Sequence, residues 1–436
     1  MNIVLLSGGS GKRLWPLSNE IRSKQFIKFF KDEFGDSESM VQRVYRQIKE
    51  VDKNASIVIA TSKSQASSIQ NQLGSSVSVS IEPCRRDTFP AIALAATYLA
   101  DVKGLKNDDV VIVCPVDPFV NIDYYEHLKK LEEVVQSSTS NLVLMGMKPT
   151  YPSSKYGYIL PENKDEVSRV LRFLEKPTEE KAREYIQEGA LWNGGIFAFK
   201  LGYLLNKAHE LINFNNYYDL FSKYSDLKKI SFDYEVVEKE PSISVVRFDG
   251  EWKDIGTWNT LTETLDDNVI GNGIEENCDN VNIVNELDVP IVAMGLSDII
   301  ISASSEGILV SDKKQSSLIK PIVDKIDQEI MFAEKSWGSY KVLDIGLHSM
   351  TIKIKLKAGH AMNYHYHQNR DEVWIITQGN GFVIIDDKII EISTGSIIEM
   401  KANHLHTIKA TSDLELIEVQ IGEHIKKEDK IKVEKK

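Results

Sequence analysis

Cysteine is scarce: the 436 residues hold only Cys84, Cys114 and Cys278, an odd number set far apart. That pattern argues against a disulfide framework and for free thiols in a reducing compartment. Long apolar runs are missing as well. Nothing approaches the length that spans a bilayer, and the chain opens on a strand-like run with no leader ahead of it, so a cytoplasmic protein without a membrane partner is expected. Basic charge is in deficit, 52 Lys and Arg against 64 Asp and Glu, for a net charge of −12. Nucleic acid and anionic membrane surfaces are poor partners for such a chain, although a local basic pocket for a nucleotide is compatible with it. The rest is an ordinary soluble composition, 42% hydrophobic and 27% charged, at a length that suggests two or three domains with sizeable cores.

The most informative stretch is the first. Asn2 to Leu6 is a short apolar run ending abruptly in small residues, the mark of a buried strand running into a loop. The loop Ser7-Gly8-Gly9-Ser10-Gly11 has no bulky side chain, so its backbone N–H groups can approach an anion closely. Lys12, Arg13 and, a little later, Lys24 add positive charge. Strand, glycine loop and cations in that order describe a phosphate cradle. It is not a P-loop, whose spacing is absent. Nor is it the dinucleotide fingerprint, because Leu14 stands where the third glycine belongs.

Further on, a helix is predicted over 40–49, strands over 56–60, 77–81 and 109–114, and a helix over 91–100. Alternation of this kind implies a doubly wound, mixed but mostly parallel α/β sheet of Rossmann-like type, with ligands beyond the carboxyl ends of the strands. Glu82-Pro83-Cys84-Arg85-Arg86-Asp87-Thr88 and Pro115-Val116-Asp117 both fall at such ends.

The string Gly8-Gly9-Ser10-Gly11-Lys12-Arg13-Leu14-Trp15-Pro16-Leu17-Ser18 resembles the signature of the sugar nucleotidyltransferases, most closely the mannose-1-phosphate guanylyltransferases. Later motifs resemble that family in the family's order: Glu82 to Thr88, Lys155-Tyr156-Gly157-Tyr158-Ile159, Phe173-Leu174-Glu175-Lys176-Pro177, Trp192-Asn193-Gly194-Gly195-Ile196-Phe197 and Trp252-Lys253-Asp254-Ile255-Gly256. The resemblance implies a nucleotide site of Ser7, Gly8, Gly9, Ser10, Gly11, Lys12, Glu82 and Arg86, with Glu82 accepting from the N1–H and exocyclic amine of guanine. It implies that Arg13 holds the departing phosphates, Lys24 the reacting one and Lys176 the incoming one. Asp117 and Asp254 would carry Mg²⁺, and Tyr156, Gly157, Glu175 and Asn193 would bind the sugar. Two positions depart from the family, Asp87 in place of Asn and Pro118 in place of His. The implied reaction joins a nucleoside triphosphate, preferably GTP, to a sugar 1-phosphate, preferably mannose 1-phosphate, releasing pyrophosphate. Another pair such as CTP with a different phosphorylated acceptor is the alternative within the class. A catalytically idle sugar-nucleotide binding protein is the alternative outside it.

Residues 1–276 are thus read as the nucleotidyltransferase domain and 277–330 as a small β region and linker, with packing or contact in a homo-oligomer as its expected role. Seven of the nine histidines lie after residue 347, in a stretch of short strands that suggests a small double-sheet barrel over 331–425. Gly359, His365, His367, Glu372 and Gly379 match the first cupin motif in spacing, and in a strand His365 and His367 share a face. Gly395 and His406 match part of the second. His365, His367, Glu372 and His406 are the expected ligands of a divalent transition metal. In the bifunctional relatives this cupin is a phosphomannose isomerase; they carry Gln at His365, His at Val373, and an arginine whose nearest counterpart here is Lys432. A metal-holding barrel with weak or lost isomerase activity is expected, followed by a solvated tail over 426–436.

Overall fold

The computed structural model describes residues 1–9, 12–327, 329–423 and 425–433. The chain divides into two units, one of residues 1–10, 24–66 and 76–266, the other of 11–23, 67–75 and 267–436.

The first unit is built on a nine-stranded sheet. Its spatial order is Ser78–Glu82, Ser56–Ser62, Asn2–Ser7, Val110–Pro115, Leu191–Lys200, Leu142–Met147, Ile243–Phe248, Val167–Leu174 and Tyr158–Pro161. The first four run parallel. Leu191–Lys200 then runs antiparallel to both neighbours, while Ile243–Phe248 is again parallel to Leu142–Met147. The parallel half is apolar on both faces, as in Ile3, Val4 and Leu5, because helices cover it on either side. Helix Met40–Val51 starts on a capping box of Ser39 and Gln42. Helix Thr88–Asp101 buries every residue from Phe89 to Thr97, and Asp87 caps it by accepting from the Thr88 N–H at 2.8 Å. From Asn2–Ser7 the chain winds outward to Ser56–Ser62 and Ser78–Glu82, then returns to the opposite flank as Val110–Pro115. The switch point therefore lies where Asn2–Ser7 and Val110–Pro115 end side by side, the place where such sheets take ligands.

In the second unit, residues 269–312 form a short coil of stacked strands. Val269–Gly271, Asn282–Asn285 and Ile299–Ser304 pair in parallel, as do Gly273–Glu276 and Ile291–Met294, around Val281, Ile283, Ala293 and Ile301. Segment 12–23 is fastened to this coil. Arg22 pairs with Glu286 through both terminal nitrogens at 2.8 and 2.9 Å, and the Ser304 hydroxyl donates to Pro16 O at 2.7 Å. Asn19 Nδ2 donates to Glu306 Oε1 at 2.9 Å and to Phe332 O at 3.0 Å. The C-terminal barrel has facing sheets of six and five strands around Trp374, Ile376, Val383, Ile408 and Leu416.

The tail departs from expectation. Residues 427–429 form a 3-10 turn, and Lys430–Lys432 adds an edge strand beside His365–His367. Buried Asp429 explains why: it accepts from the backbone N–H groups of Gln368 and Asn369, and Arg370 Nη1 donates to Lys426 O at 3.0 Å. The backbone over 430–432 is thereby closed onto the histidine strand, and residues 434–436 lie outside the described residues. Among the described residues no helix is long and apolar enough to cross a membrane.

Candidate functional site

At the switch point the ribbon of Trp252–Asp254 against Pro118–Val120 sets Asp254 opposite Pro118, next to Asp117. Both carboxylates face one ammonium. Lys24 Nζ lies 3.4 Å from Asp117 Oδ2 and 3.8 Å from Asp254 Oδ1, and it donates to Ile255 O at 3.0 Å. Two carboxylates around one cation, all partly open to solvent, form an oxygen-donor set of the kind that suits Mg²⁺ shared with phosphate oxygens.

The glycine loop enters the same region. The Ser7 hydroxyl accepts from Gln25 Nε2 at 3.2 Å, and Gly9 O accepts from Gln65 Nε2 at 3.0 Å and from Arg85 at 3.4 Å. Glu82, buried at the end of its strand, lies against Gly8; a Cβ there would sit 3.8 Å from Glu82 Oε1. Burial raises the Glu82 carboxyl above its ordinary range, a push that the Tyr224 hydroxyl and Arg85 oppose. Arg86 donates to Ser225 O and so braces a turn. Ser10 and Gly11 lie outside the described residues. Lys12 and Arg13 belong to the second unit: Lys12 Nζ is held between Glu20 and Asp324 at 3.2 Å each, and Arg13 is exposed.

A second cluster gathers residues of four separate motifs. Lys176, in a left-handed conformation with φ 47°, pairs with Glu175. Asn193 Nδ2 donates to Asp233 Oδ1 at 2.6 Å, and the Asn193 N–H donates to Gly157 O at 2.8 Å. Burial, with Glu175 nearby, pushes the Asp233 carboxyl up to about 6. The Tyr156 ring packs on Trp192 and Trp252, at centroid distances of 4.8 and 5.4 Å. Trp252 shares its strand with Asp254, so the two clusters adjoin.

In the barrel, His365, His367, Glu372 and His406 are all buried, with ligand atoms within 4.8 Å of one another. His365 Nδ1 and His406 Nδ1 contact the carbonyls of Asn363 and His404 at 2.8 and 2.9 Å, which turns each Nε2 inward. Burial pushes His365 down to about 2, so its imidazole is neutral and able to ligate. Burial would raise Glu372, but the imidazoles of His367 and His406 beside it outweigh that and hold the carboxyl low. His367 Nε2 and His406 Nε2 lie 2.8 and 3.4 Å from the two oxygens of Glu372, so carboxylate and imidazole nitrogens gather in one place. Three imidazoles and a carboxylate fit a borderline transition metal. Lys430, opposite His367 on the edge strand, is the lysine drawn toward this group: burial lowers its ammonium against the pull of Glu418 and Glu372. Lys432 stands opposite His365 and is exposed.

Residues 2–268 match the nucleotidyl transferase family. The chain belongs to that family. As a nucleotidyl transferase it carries a second match, residues 324–435, to the C-terminal domain of mannose-6-phosphate isomerase. It is 28% identical to the xanthan biosynthesis protein XanB of Xanthomonas campestris pv. campestris (strain B100) over 99% of this chain and 97% of that one. It is 29% identical to a mannose-1-phosphate guanylyltransferase of Salmonella montevideo over 98% and 97%. Its first unit has the fold expected of a nucleotidyl transferase. Among solved structures it resembles the mannose-1-phosphate geranyltransferase of Thermus thermophilus, with 26% identity and a TM-score of 0.62 over 74% of this chain and 98% of that chain.

Sequence reasoning missed several residues of these clusters. Trp252 was visible only as a member of a motif, without a role, and Asp233 is found by its hydrogen bond with Asn193. Gln25, beside Ser7, and Tyr224, beside Glu82, carry no local signal at all; each is found only by what it touches.

Proposed function

We propose that this enzyme transfers a guanylyl group from GTP to mannose 1-phosphate, giving GDP-mannose and pyrophosphate. The observation that carries the reading is Lys24 between Asp117 and Asp254 at the switch point. The relatives named mannose-1-phosphate guanylyltransferase support the choice of substrates. A phosphate oxygen of the sugar phosphate attacks the α-phosphorus in line; the new O–P bond forms as the bond to the β-phosphate oxygen breaks. Such a step depends on positioning and charge neutralisation rather than on a covalent enzyme intermediate. Lys24 holds the reacting phosphate. The Ser7, Gly8 and Gly9 amides and Arg86 hold the rest of the nucleotide, and Lys176 steadies the incoming phosphate. Glu175, Asn193 and Tyr156 orient the sugar. Mg²⁺ carried by Asp117 and Asp254 would neutralise phosphate charge.

Pyrophosphate release across four triphosphates and a panel of sugar phosphates tests the pair. GTP with mannose 1-phosphate should be fastest; faster turnover with CTP would overturn the base assignment. Glu82→Gln should weaken GTP use by about tenfold while leaving the order of preference among sugar phosphates unchanged. A uniform loss across all triphosphates would instead make Glu82 structural.

Gly157 gives a check on the sugar side. A Cβ there would lie 2.5 Å from Glu175 Oε2 and 3.0 Å from the Phe173 ring, so one of them must shift. Gly157→Ala should raise KM for the sugar phosphate about tenfold with little change in KM for the triphosphate, since a misplaced sugar-binding group acts on one substrate. Equal effects on both KM values would detach this cluster from the sugar.

A second reading concerns the barrel. Lys430 and Arg370 beside the four metal-ligand residues favour a metal-dependent aldose–ketose isomerisation of a hexose 6-phosphate, in line with the match over 324–435. Weak conversion of fructose 6-phosphate to mannose 6-phosphate is expected, because a lysine lacks arginine's planar two-point grip on phosphate.

A further inference from the structure

Glu82 and Tyr224 form a buried pair that no sequence motif joins. The Tyr224 hydroxyl donates to Glu82 Oε2 at 2.7 Å across 142 positions of the chain. Each partner is held by its own framework. Glu82 is fixed as the last residue of Ser78–Glu82. Tyr224 opens the 3-10 turn Tyr224–Asp226, and its ring is packed without exposure among Ala93, Leu94, Phe214 and Leu220. The turn is also tied to the loop that follows Glu82. Arg86 donates to Ser225 O, the Ile230 N–H donates to Arg86 O at 3.3 Å, and the Phe89 N–H donates to Ile230 O at 3.2 Å. Ring and backbone together leave the hydroxyl little freedom.

We propose that Tyr224 is a positioning residue for base selection: its hydroxyl pins Oε2 of Glu82 and thereby fixes the plane in which the carboxylate presents its acceptors to the base. The inference rests on the reading of Glu82 as the guanine contact. Oε1, the other oxygen, is the one toward Gly8, on the side of the glycine loop. An ionised carboxylate is acceptor-only, with about four lone-pair sites, and Tyr224 occupies one of them. Guanine offers two adjacent donors, N1–H and the 2-amine, whereas adenine and cytosine place a ring acceptor beside their amine. Uracil offers a single N–H between two carbonyls. A carboxylate of fixed plane can meet both guanine donors at once. One free to rotate, or protonated, discriminates poorly, because the gain depends on leaving no buried polar group unpaired.

Charge runs in the same direction. Burial raises the Glu82 carboxyl, Asp87 adds to that push, and the Tyr224 hydrogen bond and Arg85 oppose it. Burial, followed by Glu82 itself, drives the Tyr224 hydroxyl far up, with Cys84 adding to it and Arg86 opposing, so it remains a donor at any working pH. Deleting the hydroxyl removes one of the two influences that favour ionised Glu82. The carboxyl then titrates at higher pH, and the acid limb of GTP use moves up with it.

Tyr224→Phe in the full chain keeps the ring and removes only the donor. With mannose 1-phosphate held constant, kcat/KM is measured for GTP and for inosine triphosphate, which lacks the 2-amine, across a range of pH. The GTP-over-inosine preference should fall about five- to tenfold, carried by KM for GTP, and the acid limb for GTP should move to higher pH. Glu82→Gln, measured alongside, separates the two readings. If Glu82→Gln leaves the preference unchanged, the guanine contact is wrong and the proposal falls with it. If Glu82→Gln abolishes the preference while Tyr224→Phe moves neither the ratio nor the acid limb, Tyr224 only fills space and the inference alone is overturned. A Tyr224→Phe protein that loses both triphosphates equally, with an unmoved pH profile, overturns it in the same way.

Discussion

Lys24→Ala and Asp254→Ala should each lower nucleotidyl transfer about 10²-fold or more, because each removes charge stabilisation where phosphate charge is redistributed. The geometry explains why the two losses should be comparable although the side chains carry opposite charge. Lys24 Nζ is 3.8 Å from Asp254 and 3.4 Å from Asp117, so the three groups form one electrostatic unit. Lys24→Ala leaves two carboxylates facing a triphosphate without their ammonium. Asp254→Ala removes half of the oxygen pair proposed for Mg²⁺ and frees Lys24 from one of its restraints. Folding should survive both changes. The Asp117 and Asp254 side chains are 40% and 41% exposed, and Lys24 at 16% still reaches solvent, so neither substitution opens a core cavity. Steady-state pyrophosphate release, with circular dichroism and thermal melts as controls, decides the matter. A well-folded variant of either kind with near-normal turnover would falsify the assignment. Lys24→Arg should also be poor, since a planar guanidinium cannot stand as a compact charge between two carboxylates.

How far this arrangement was legible depends on whether the signal was local. Asp117 ends an apolar β-branched run at a Pro-Val-Asp turn, and the glycine loop ends another; adjacent parallel strands then bring the two together. That much follows from pattern and topology. The apposition of Asp254 with Asp117 is different. It rests on a two-stranded ribbon between residues 118–120 and 252–254, which only resemblance to a family could anticipate. Tyr224 was beyond reach because its role is set by one hydrogen bond between distant segments, and its own neighbourhood reads as an ordinary helix end.

The second unit makes the same point from the other side. Spacing alone placed His365 and His367 on one strand face, because the strand period is two, and Glu372 and His406 follow from the barrel motifs. The strands of 269–312 were visible one by one, but not their parallel stacking into a coil, since pairing direction is a tertiary property. Residues 11–23 could not be read as part of that unit, because Arg22–Glu286 and Asn19–Glu306 bridge 264 and 287 positions. The tail misled for a physical reason: a lysine-rich composition predicts solvation, yet Asp429 and Arg370 supply the hydrogen bonds that fold it back.

The largest stability effect should come from the barrel's metal. The purified protein is expected to carry about one divalent transition ion per chain, and His367→Ala to reduce that content by about tenfold or more, since it removes one of four protein donors. Three features support tight binding. The donor atoms already lie within 4.8 Å of one another, His365 is neutral, and the Nδ1 contacts of His365 and His406 orient their rings before any ion arrives. Preorganisation of this kind reduces the ordering cost of binding. It also leaves a liability. Without an ion, His406 Nε2 is buried without a well-formed hydrogen bond, and such a group destabilises a core. An ion present at about a thousand times its dissociation constant would stabilise the folded barrel by about 4 kcal/mol, so chelation should lower the midpoint of thermal unfolding by several degrees and re-addition should restore it. Elemental analysis and melts with and without chelator read this directly, independently of any activity. Nucleotidyl transfer should be little affected by His367→Ala, because Lys24, Asp117 and Asp254 belong to the other unit. A barrel that is metal-free as purified and cannot be loaded with zinc, iron, manganese or nickel would overturn the metal assignment, and an unchanged metal content in His367→Ala would remove this histidine from the ligand set.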